Sequence, residues 1–269
     1  MNIGILIVLG GALILSMVLV PGPTSAASAP AKLPASFDLD AFDAFLSQEV
    51  QSKGSVGFSV AIVKDGRIVL AKGYGRRSVA EPMPVSSDTI FAIGSVTKQF
   101  TCAAVLLLAE AGKLSIHDPV GKYFPDLTRA ADISLLDLMN HVSSYPDYYP
   151  LGFVDRRLMQ PAKTDEVIGE YATGKLDFEP ATRYSYSNTG YLILGRVVEK
   201  VSGEPMRAFL QSHIFTPLGM NHTLYEPEKA DGRLARGHTV FALSQPEPAV
   251  PEGNGWIAAA GAIYSTPSD

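Results

Sequence analysis

The sequence predicts an α/β domain combined with an all-α region, in which an antiparallel sheet is flanked by helices and the helical part is large. Two β-rich runs, Val56 to Val63 and Arg67 to Tyr74, are joined by Lys64-Asp65-Gly66, which is a strong hairpin signal. From Ser95 onward the strand signals fade. A strand is expected to resume only at Trp256 to Ala259. Because a two-stranded hairpin is marginally stable by itself, we expect the sheet to be incomplete in this chain.

The segment before the hairpin predicts one amphipathic helix. Its apolar residues recur at helical spacing up to Gly54, namely Leu39, Phe42, Phe45, Leu46 and Val50. In the first strand, Phe58, Val60 and Ile62 share one face. The opposite face carries the small residues Gly57, Ser59 and Ala61, which leave it open to close packing by a helix.

Three further helices are predicted after the hairpin. Phe100 to Leu108 is apolar all round, which favours a buried helix, and Gly112 ends it. Ser134-Leu135-Leu136-Asp137 has the pattern of a capping box and begins a short helix that runs to Asn140. The last helix ends at Gly203 and has an apolar face formed by Leu194, Val197, Val198 and Val201.

Composition excludes several classes of function. The 269 residues include 22 basic and 27 acidic side chains, and a net charge of −5 argues against a nucleic-acid-binding protein. The single cysteine, Cys102, excludes an intramolecular disulfide and a multi-cysteine zinc site, and we interpret it as packing. The histidines lack the close spacing of metal ligands, so no metal site is expected. No other cofactor is expected either.

The first residues predict export. Ile3 to Val20 is an apolar or small-residue run, followed by Pro21-Gly22-Pro23 and by the small residues Ser25 to Ala29. This order is typical of a cleaved signal peptide. No Lys or Arg precedes the run and its length approaches a bilayer span, so a membrane anchor is the alternative. A periplasmic or secreted protein is expected, with membrane contact only through this segment.

Ser95 and Lys98 form the first chemical candidate. The S-x-x-K pattern is weak by itself, and Ser95 can also be read as a helix cap. Lys98, however, places a positive charge at the N-terminal end of a helix, where the helix dipole makes it unfavourable by roughly 0.3–1 kcal/mol. Burial in an apolar helix would in addition lower the pKa of the Lys98 amine. Residues i and i+3 share a helical face, so a neutral Lys98 amine can reach the Ser95 hydroxyl and activate it as a nucleophile.

Tyr186-Ser187-Asn188 forms the second candidate, where a loop enters a helix that begins near Gly190. In a purely structural interpretation, Asn188 caps that helix and Tyr186 is an ordinary aromatic residue. In the functional one, a nearby ammonium lowers the pKa of the Tyr186 phenol, which then acts as general base and acid. The Asn188 amide would orient a substrate by hydrogen bonding.

Taken together, the motifs resemble the serine β-lactamase and penicillin-binding family, in the branch of class C β-lactamases, D-Ala-D-Ala carboxypeptidases and esterases. The resemblance runs from about Phe58 to the last residue. Its segments, in order, are Phe91 to Lys98, Ala111 to Leu114, Asp118 to Val120, Tyr184 to Tyr191, Pro217 to Met220, Ala260-Gly261 and Ser265-Thr266.

The resemblance implies a β-lactamase/transpeptidase-like fold and a role for four residues. Ser95 would be the acylated nucleophile, Lys98 its partner, and Tyr186 the acid/base. Asn188 would position both the substrate and Lys98. The implied reaction attacks a β-lactam, a D-Ala peptide or an ester.

The chain departs from the family pattern at several positions. His141-Val142-Ser143-Ser144 stands where the family often has His-Thr-Ser-Gly, so this turn is expected to follow a different path and His141 to be structural. Ala181 and Ala262 replace frequent glycines, which is expected to be a minor restriction.

The family's third motif, Lys/His-Thr/Ser-Gly on a sheet strand, is expected several dozen residues beyond Ser265-Thr266. In the family that strand supplies one donor of the oxyanion hole, and removal of one donor costs about 2.7–4 kcal/mol. We therefore expect these 269 residues to belong to a longer chain and to be inactive or unstable alone.

The predicted organisation has four parts. They are a signal peptide or anchor (1–29), the first part of the α/β domain (30–94), a mainly helical region with the motifs (95–254) and a return toward the sheet (255–269). The sequence favours an exported monomeric serine hydrolase that acts on a small molecule or a peptidoglycan peptide. The alternatives are a penicillin-binding sensor without turnover and an inactive fragment.

Overall fold

The computed structural model describes residues 38–52, 55–80, 83–149, 156–227, 233–240, 245–250 and 252–269, together with the backbone of Ile5–Leu6. The predicted leader otherwise lies outside the described residues. The described residues fall into two compact units, one drawn from 1–87 and 236–248 and the other from 88–235 and 249–269. The four-part organisation of the sequence remains a prediction. No helix in the described ranges combines the length and the hydrophobicity that a bilayer crossing requires.

The first unit contains the predicted hairpin. Its antiparallel sheet has the order β1 (Ile5–Leu6), β2 (Gly57–Lys64) and β3 (Arg67–Gly75). Asp65 and Gly66 form the turn with φ values of 51° and 73°, the left-handed pair that a tight hairpin requires. Outside this sheet, β6 (His238–Thr239) pairs with β7 (Glu247–Pro248).

Helix α1 (Leu39–Ser52) covers one face of this sheet, but not the face that small residues leave open. A small core forms around Val60, Ile62 and Tyr74, and the apolar residues of α1 pack against it. The exception is Phe45, which is 53% exposed. The expectation that the Gly57, Ser59 and Ala61 face receives a helix is therefore wrong for α1, because the larger apolar side chains offer more area to bury.

The small-residue face is instead approached by a backbone segment. A Cβ atom at Gly73 would lie 2.4 Å from the main chain of Val85, and one at Gly57 would lie equally close to the carbonyl of Arg76. Glycine is therefore required at both positions by close approach of the main chain.

The second unit is mainly helical. A small antiparallel sheet has the order β4 (Phe91–Ala92), β8 (Ile263–Ser265) and β5 (Leu224–Tyr225). The helices are α2 (Thr97–Glu110), α3 (Leu135–Met139), α4 (Thr164–Ala172), α5 (Asn188–Ser202), α6 (Met206–Leu210), α7 (Thr216–Leu218) and α8 (Ala258–Gly261). Single 3₁₀ turns occupy Gly94–Val96, Val120–Lys122 and Arg156–Met159, and a π-helical turn occupies Gln211–Phe215.

Two predicted helix boundaries agree with the structure because they rest on capping chemistry. The Ser134 hydroxyl accepts from the Asp137 N–H while the Asp137 carboxylate accepts from the Ser134 N–H, which is a complete capping box at the start of α3. Gly203 ends α5 with a φ of 77°, a conformation that glycine adopts without steric cost. The first eleven residues of α5, Asn188 to Val198, are buried with the exception of Arg196.

Two other expectations are wrong. Helix α2 is not buried all round, because Leu106 is 48% exposed and Leu107 38% exposed. Trp256 to Ala259 does not resume a strand. Residues Ala258–Gly261 form the helical turn α8, and the strand begins later, at Ile263.

Candidate active site

Ser95 lies in the 3₁₀ turn that leads into α2, and its side chain is exposed. Its Oγ lies 2.6 Å from the Tyr186 hydroxyl and 3.2 Å from the Lys98 Nζ. The helix itself begins at Thr97, and no side chain caps its first turn. The Ser95 hydroxyl therefore contacts two titratable groups instead of acting as a helix cap.

Lys98 is buried, with only 6% of its surface exposed. Its Nζ donates to three acceptors, which are the Asn188 Oδ1 at 2.8 Å, the Ala260 carbonyl at 2.7 Å and the Ser95 Oγ at 3.2 Å. Burial lowers the pKa of the amine to about 8, while the negative charge of Asp147 opposes this shift. The predicted direction of the shift agrees with the structure.

Residues Ala259 to Ile263 form one side of the site. The Thr101 Oγ1 donates to the Ala259 carbonyl at 2.7 Å, and the Ile263 N–H donates to the Thr97 Oγ1 at 3.0 Å. Together with the contact between Lys98 and Ala260, these bonds hold α8 and the start of β8 against α2. The Lys98 acceptor on α8 is a main-chain carbonyl, which explains why no side-chain motif indicated it.

Tyr186 is 38% exposed, and the expectation that a nearby ammonium lowers its pKa is wrong. Burial raises the pKa of the phenol, and the hydrogen bond with Ser95 opposes this only in part. The Lys98 Nζ faces the Tyr186 ring at 4.8 Å from the centroid, and the pKa of the phenol is raised despite this neighbour. Tyr186 therefore keeps its proton at neutral pH.

Asn188 does not cap α5. Ser187 is the cap, because its Oγ accepts from the Gly190 N–H, and Asn188 is the first helical residue. The Asn188 side chain instead bridges two charged groups, accepting from Lys98 through Oδ1 and donating from Nδ2 to the Asp147 carboxylate. The site residues Ser95, Lys98, Tyr186 and Asn188 are thus brought together, and their catalytic roles remain predictions.

Asp147 is the residue of this site that the sequence did not indicate. It stands in the run Tyr145-Pro146-Asp147-Tyr148-Tyr149, which none of the motifs singled out in the sequence includes. A signal was present, since a single acidic residue among aromatic and proline residues needs a partner if the segment is buried. Burial raises the pKa of its carboxyl group, and N–H donors from Asn188 and Tyr149 oppose that change.

His141 fixes the loop that carries Tyr186. Its carbonyl accepts from the Ser185 N–H at 2.8 Å, and its Nδ1 accepts from the Ser187 N–H at 3.1 Å. Its ring stacks on the Tyr186 ring at a centroid distance of 4.5 Å. Burial lowers the pKa of the imidazole to about 4, so the ring is neutral at pH 7 and Nδ1 can accept. A structural role, as expected from the sequence, fits these contacts.

The turn after His141 places a serine in a conformation that favours glycine. Ser144 has a φ of 71°, and its Oγ donates to the Phe178 carbonyl at 2.5 Å and accepts from the Phe178 N–H at 2.6 Å. Ala181 has a φ of 63°, so the restriction there is larger than the minor one expected. Ala262, at a φ of −94°, carries no such restriction.

Cys102 lies one turn beyond Lys98 on α2. Its Sγ is 3.3 Å from the Tyr191 hydroxyl, and burial raises the pKa of the thiol. The thiol therefore stays protonated at neutral pH, in keeping with a packing role. No group of three or more potential metal-ligating side chains occurs in the described ranges.

Comparison with known proteins gives a consistent picture. The family model described as Beta-lactamase matches residues 42–269. An N-acetylmuramyl-L-alanine amidase of Bacillus subtilis is 30% identical over 65% of this chain and 43% of its own length. A putative D-alanyl-D-alanine carboxypeptidase of Salmonella schwarzengrund is 28% identical over 70% of this chain and 48% of its own length.

A similar fold is found in the crystal structure of a D-amino acid amidase from Ochrobactrum anthropi complexed with L-phenylalanine amide. The two chains match with a TM-score of 0.73 and 28% identity, over 84% of this chain and 66% of the amidase. This match confirms the predicted fold class. The chain spans less than half the length of the two curated relatives that it matches.

Proposed function

Because this chain belongs to the beta-lactamase family, as its motifs indicated, we propose that it is a serine hydrolase that cleaves amide bonds through an acyl-enzyme on Ser95. The observation that carries the proposal is the set of acceptors around Lys98. A neutral amine has two hydrogens and one lone pair, and the two shorter contacts, to Asn188 and Ala260, take the two hydrogens. The lone pair is then directed at the Ser95 hydroxyl, 3.2 Å away.

In the proposed reaction the acid and the base are different residues. Lys98, with a pKa of about 8, is partly neutral at pH 7 and accepts the Ser95 proton as Oγ bonds to the substrate carbonyl carbon. Tyr186 keeps its proton and gives it to the leaving nitrogen as the C–N bond breaks. The Lys98 ammonium then returns a proton to the Tyr186 phenolate. Water cleaves the ester, which releases the acid and restores the Ser95 hydroxyl.

The proposed substrate is an amide or peptide bond of the peptidoglycan type. The names of the two curated relatives and of the solved structure all describe amide hydrolysis, of a muramyl-alanine bond, a D-Ala-D-Ala peptide or a D-amino acid amide. A β-lactam or an ester carbonyl can enter the same reaction. Such a substrate is consistent with the export that the Ile3 to Val20 segment predicts, and the proposed location is the periplasm or the exterior.

The test is covalent labelling of the protein in its full natural length with a fluorophosphonate and a fluorescent penicillin. Labelling should be lost in Ser95→Ala and retained in Ser212→Ala, which removes an exposed hydroxyl on the surface of the same unit. Release of D-alanine from D-Ala-D-Ala peptides, or of ammonia from D-amino acid amides, would then identify the substrate. Labelling that survives Ser95→Ala would overturn the proposal. A penicillin adduct that persists for hours would favour the sensor instead.

A further inference from the structure

The site contains one partly buried bridge whose purpose the proposed reaction does not explain. The Asp147 Oδ1 accepts from the Asn188 N–H at 3.0 Å and from the Asn188 Nδ2 at 3.2 Å, and the Asp147 Oδ2 accepts from the same Nδ2 at 3.2 Å. The other end of the Asn188 amide accepts from Lys98. The amide therefore separates the cation of the site from a carboxylate.

An amide side chain has nearly the same shape when its oxygen and nitrogen are exchanged, so only its partners fix its orientation. With Nδ2 directed at an acceptor-only carboxylate, Oδ1 must face Lys98. In the exchanged orientation, Nδ2 would donate to a neutral Lys98 amine and occupy the lone pair that Ser95 needs. The orientation of Asn188 therefore determines whether Lys98 can act as a base.

The Asp147 carboxylate also balances the positive charge of the Lys98 ammonium. Five titratable groups surround the amine, namely Cys102, His141, Asp147, Tyr186 and Tyr191. Four of these are neutral near pH 7, because burial raises the pKa values of the thiol and the two phenols and lowers that of the imidazole. Among the described groups around Lys98, Asp147 alone is left to carry a negative charge.

We propose that Asp147 is a positioning residue that holds the Asn188 amide with its oxygen toward Lys98 and sets the pH range in which Lys98 is neutral. This inference deepens the proposed function and, in its kinetic part, rests on it. Asp147 acts through Asn188 and through its charge, and it does not contact Ser95.

The Asp147→Asn variant removes the charge but preserves most of the loop. The carbonyl of an asparagine in place of Oδ1 can still accept from the Asn188 and Tyr149 main-chain N–H groups. The asparagine Nδ2, in place of Oδ2, would face the Asn188 Nδ2 donor to donor, so the Asn188 amide is no longer held in one orientation. Rate constants for labelling of Ser95 by a fluorophosphonate are measured between pH 5.5 and 10. In the plot of the rate constant against pH, the rising part at low pH is called the acid limb. We expect the acid limb to move to lower pH by about one unit, since loss of an adjacent opposite charge favours the neutral Lys98 amine. On the alkaline plateau we expect a loss of at least about tenfold, because the amide is no longer fixed.

Three variants separate positioning from a general loss of structure. Asp147→Glu keeps the charge and should leave the acid limb where it is. Asp132→Asn makes the same chemical change at an exposed ion pair and should change neither the limb nor the plateau. In the Asn188→Ala background, Asp147→Asn should lower the plateau by less than about twofold, because no amide remains to be oriented. A full tenfold loss in that background, or an unmoved acid limb in Asp147→Asn, would overturn the proposal.

One measurement does not depend on activity. The side-chain amide signals of Asn188 in a ¹H–¹⁵N spectrum, assigned by their absence in Asn188→Ala, should shift in Asp147→Asn and stay in place in Asp132→Asn. Unchanged signals in Asp147→Asn would overturn the inference even if Ser95 is labelled normally. If the wild-type protein is not labelled at all, the proposed function fails, whereas a shift of the Asn188 signals would still support the orienting role of Asp147.

Discussion

Replacement of Lys98 by arginine tests whether a neutral amine is the base. At pH 7 an amine with a pKa of about 8 is neutral in about a tenth of the molecules, against about 0.03% at the ordinary value of 10.5. Burial thus increases the reactive form about 300-fold. Arginine keeps the positive charge and the donors, but it does not deprotonate in proteins. We expect Lys98→Arg to lose at least about 100-fold in the rate of Ser95 labelling, as general base catalysis contributes about 10²–10⁴-fold.

The wild-type pH profile gives the second part of this test. The rate constant for labelling by a fluorophosphonate should rise about tenfold per pH unit below pH 8 and become constant above it. Lys98→Arg should show a low rate with no rise across this range. Near-UV circular dichroism at each pH checks that both proteins stay folded. A flat wild-type profile between pH 6 and 9, or an arginine variant with the wild-type rate, would refute the assignment of Lys98 as base.

Three further outcomes concern the backbone and the loop that carries the phenol. Ala181→Gly should raise the unfolding free energy in urea by about 0.5–1 kcal/mol by relieving a φ of 63°, whereas Ala262→Gly, at −94°, should lower it by a similar amount. Gly73→Ala should destabilise the protein by at least about 2 kcal/mol because the new Cβ meets backbone at 2.4 Å, and Gly169→Ala, in open space on α4, should not; equal melting temperatures would contradict this. The folded pKa of about 4 for His141 lies below its unfolded value of 6.5, so the unfolded state binds more protons between these values. Stability should therefore fall by about 1–2 kcal/mol, a range reduced for the partial exposure of the ring, as the pH decreases from 6.5 to 4, and His141→Asn should lack this change.

Features that depend on residues close together in the sequence could be predicted. The hairpin follows from Asp65-Gly66, and the start of α3 follows from the reciprocal bonds of Ser134 and Asp137. The approach of Lys98 to Ser95 follows from i, i+3 geometry on a helix, and the contact at 3.2 Å matches it. These predictions succeed because the interacting residues are close in sequence.

Features that depend on distant partners could not be predicted in the same way. The sequence predicts a lowered pKa for the Tyr186 phenol because a cation is near. The direction of the shift, however, depends on how much of the ring is buried, and burial raises the pKa. Asp147 belongs to the site because the 141–149 turn contacts the start of α5, which the sequence alone does not indicate. The sequence favours a strand at α8 because Ala258 and Ala259 fit either structure, whereas the structure has a helical turn there that is bonded to α2 through Thr101.

The three bonds between α2 and the α8–β8 segment also determine when the site can assemble during synthesis. Lys98 and the carbonyl of Ala260 are 162 positions apart in the chain. At about 5–20 residues per second, a ribosome needs roughly 8–32 s to add that length. Throughout this interval a nascent chain can carry its serine and its lysine without the acceptor that directs the lysine lone pair. Assembly of the proposed site is therefore delayed until translation passes Ala260, and a polypeptide released before that point would contain the S-x-x-K pattern without the contact between Lys98 and Ala260.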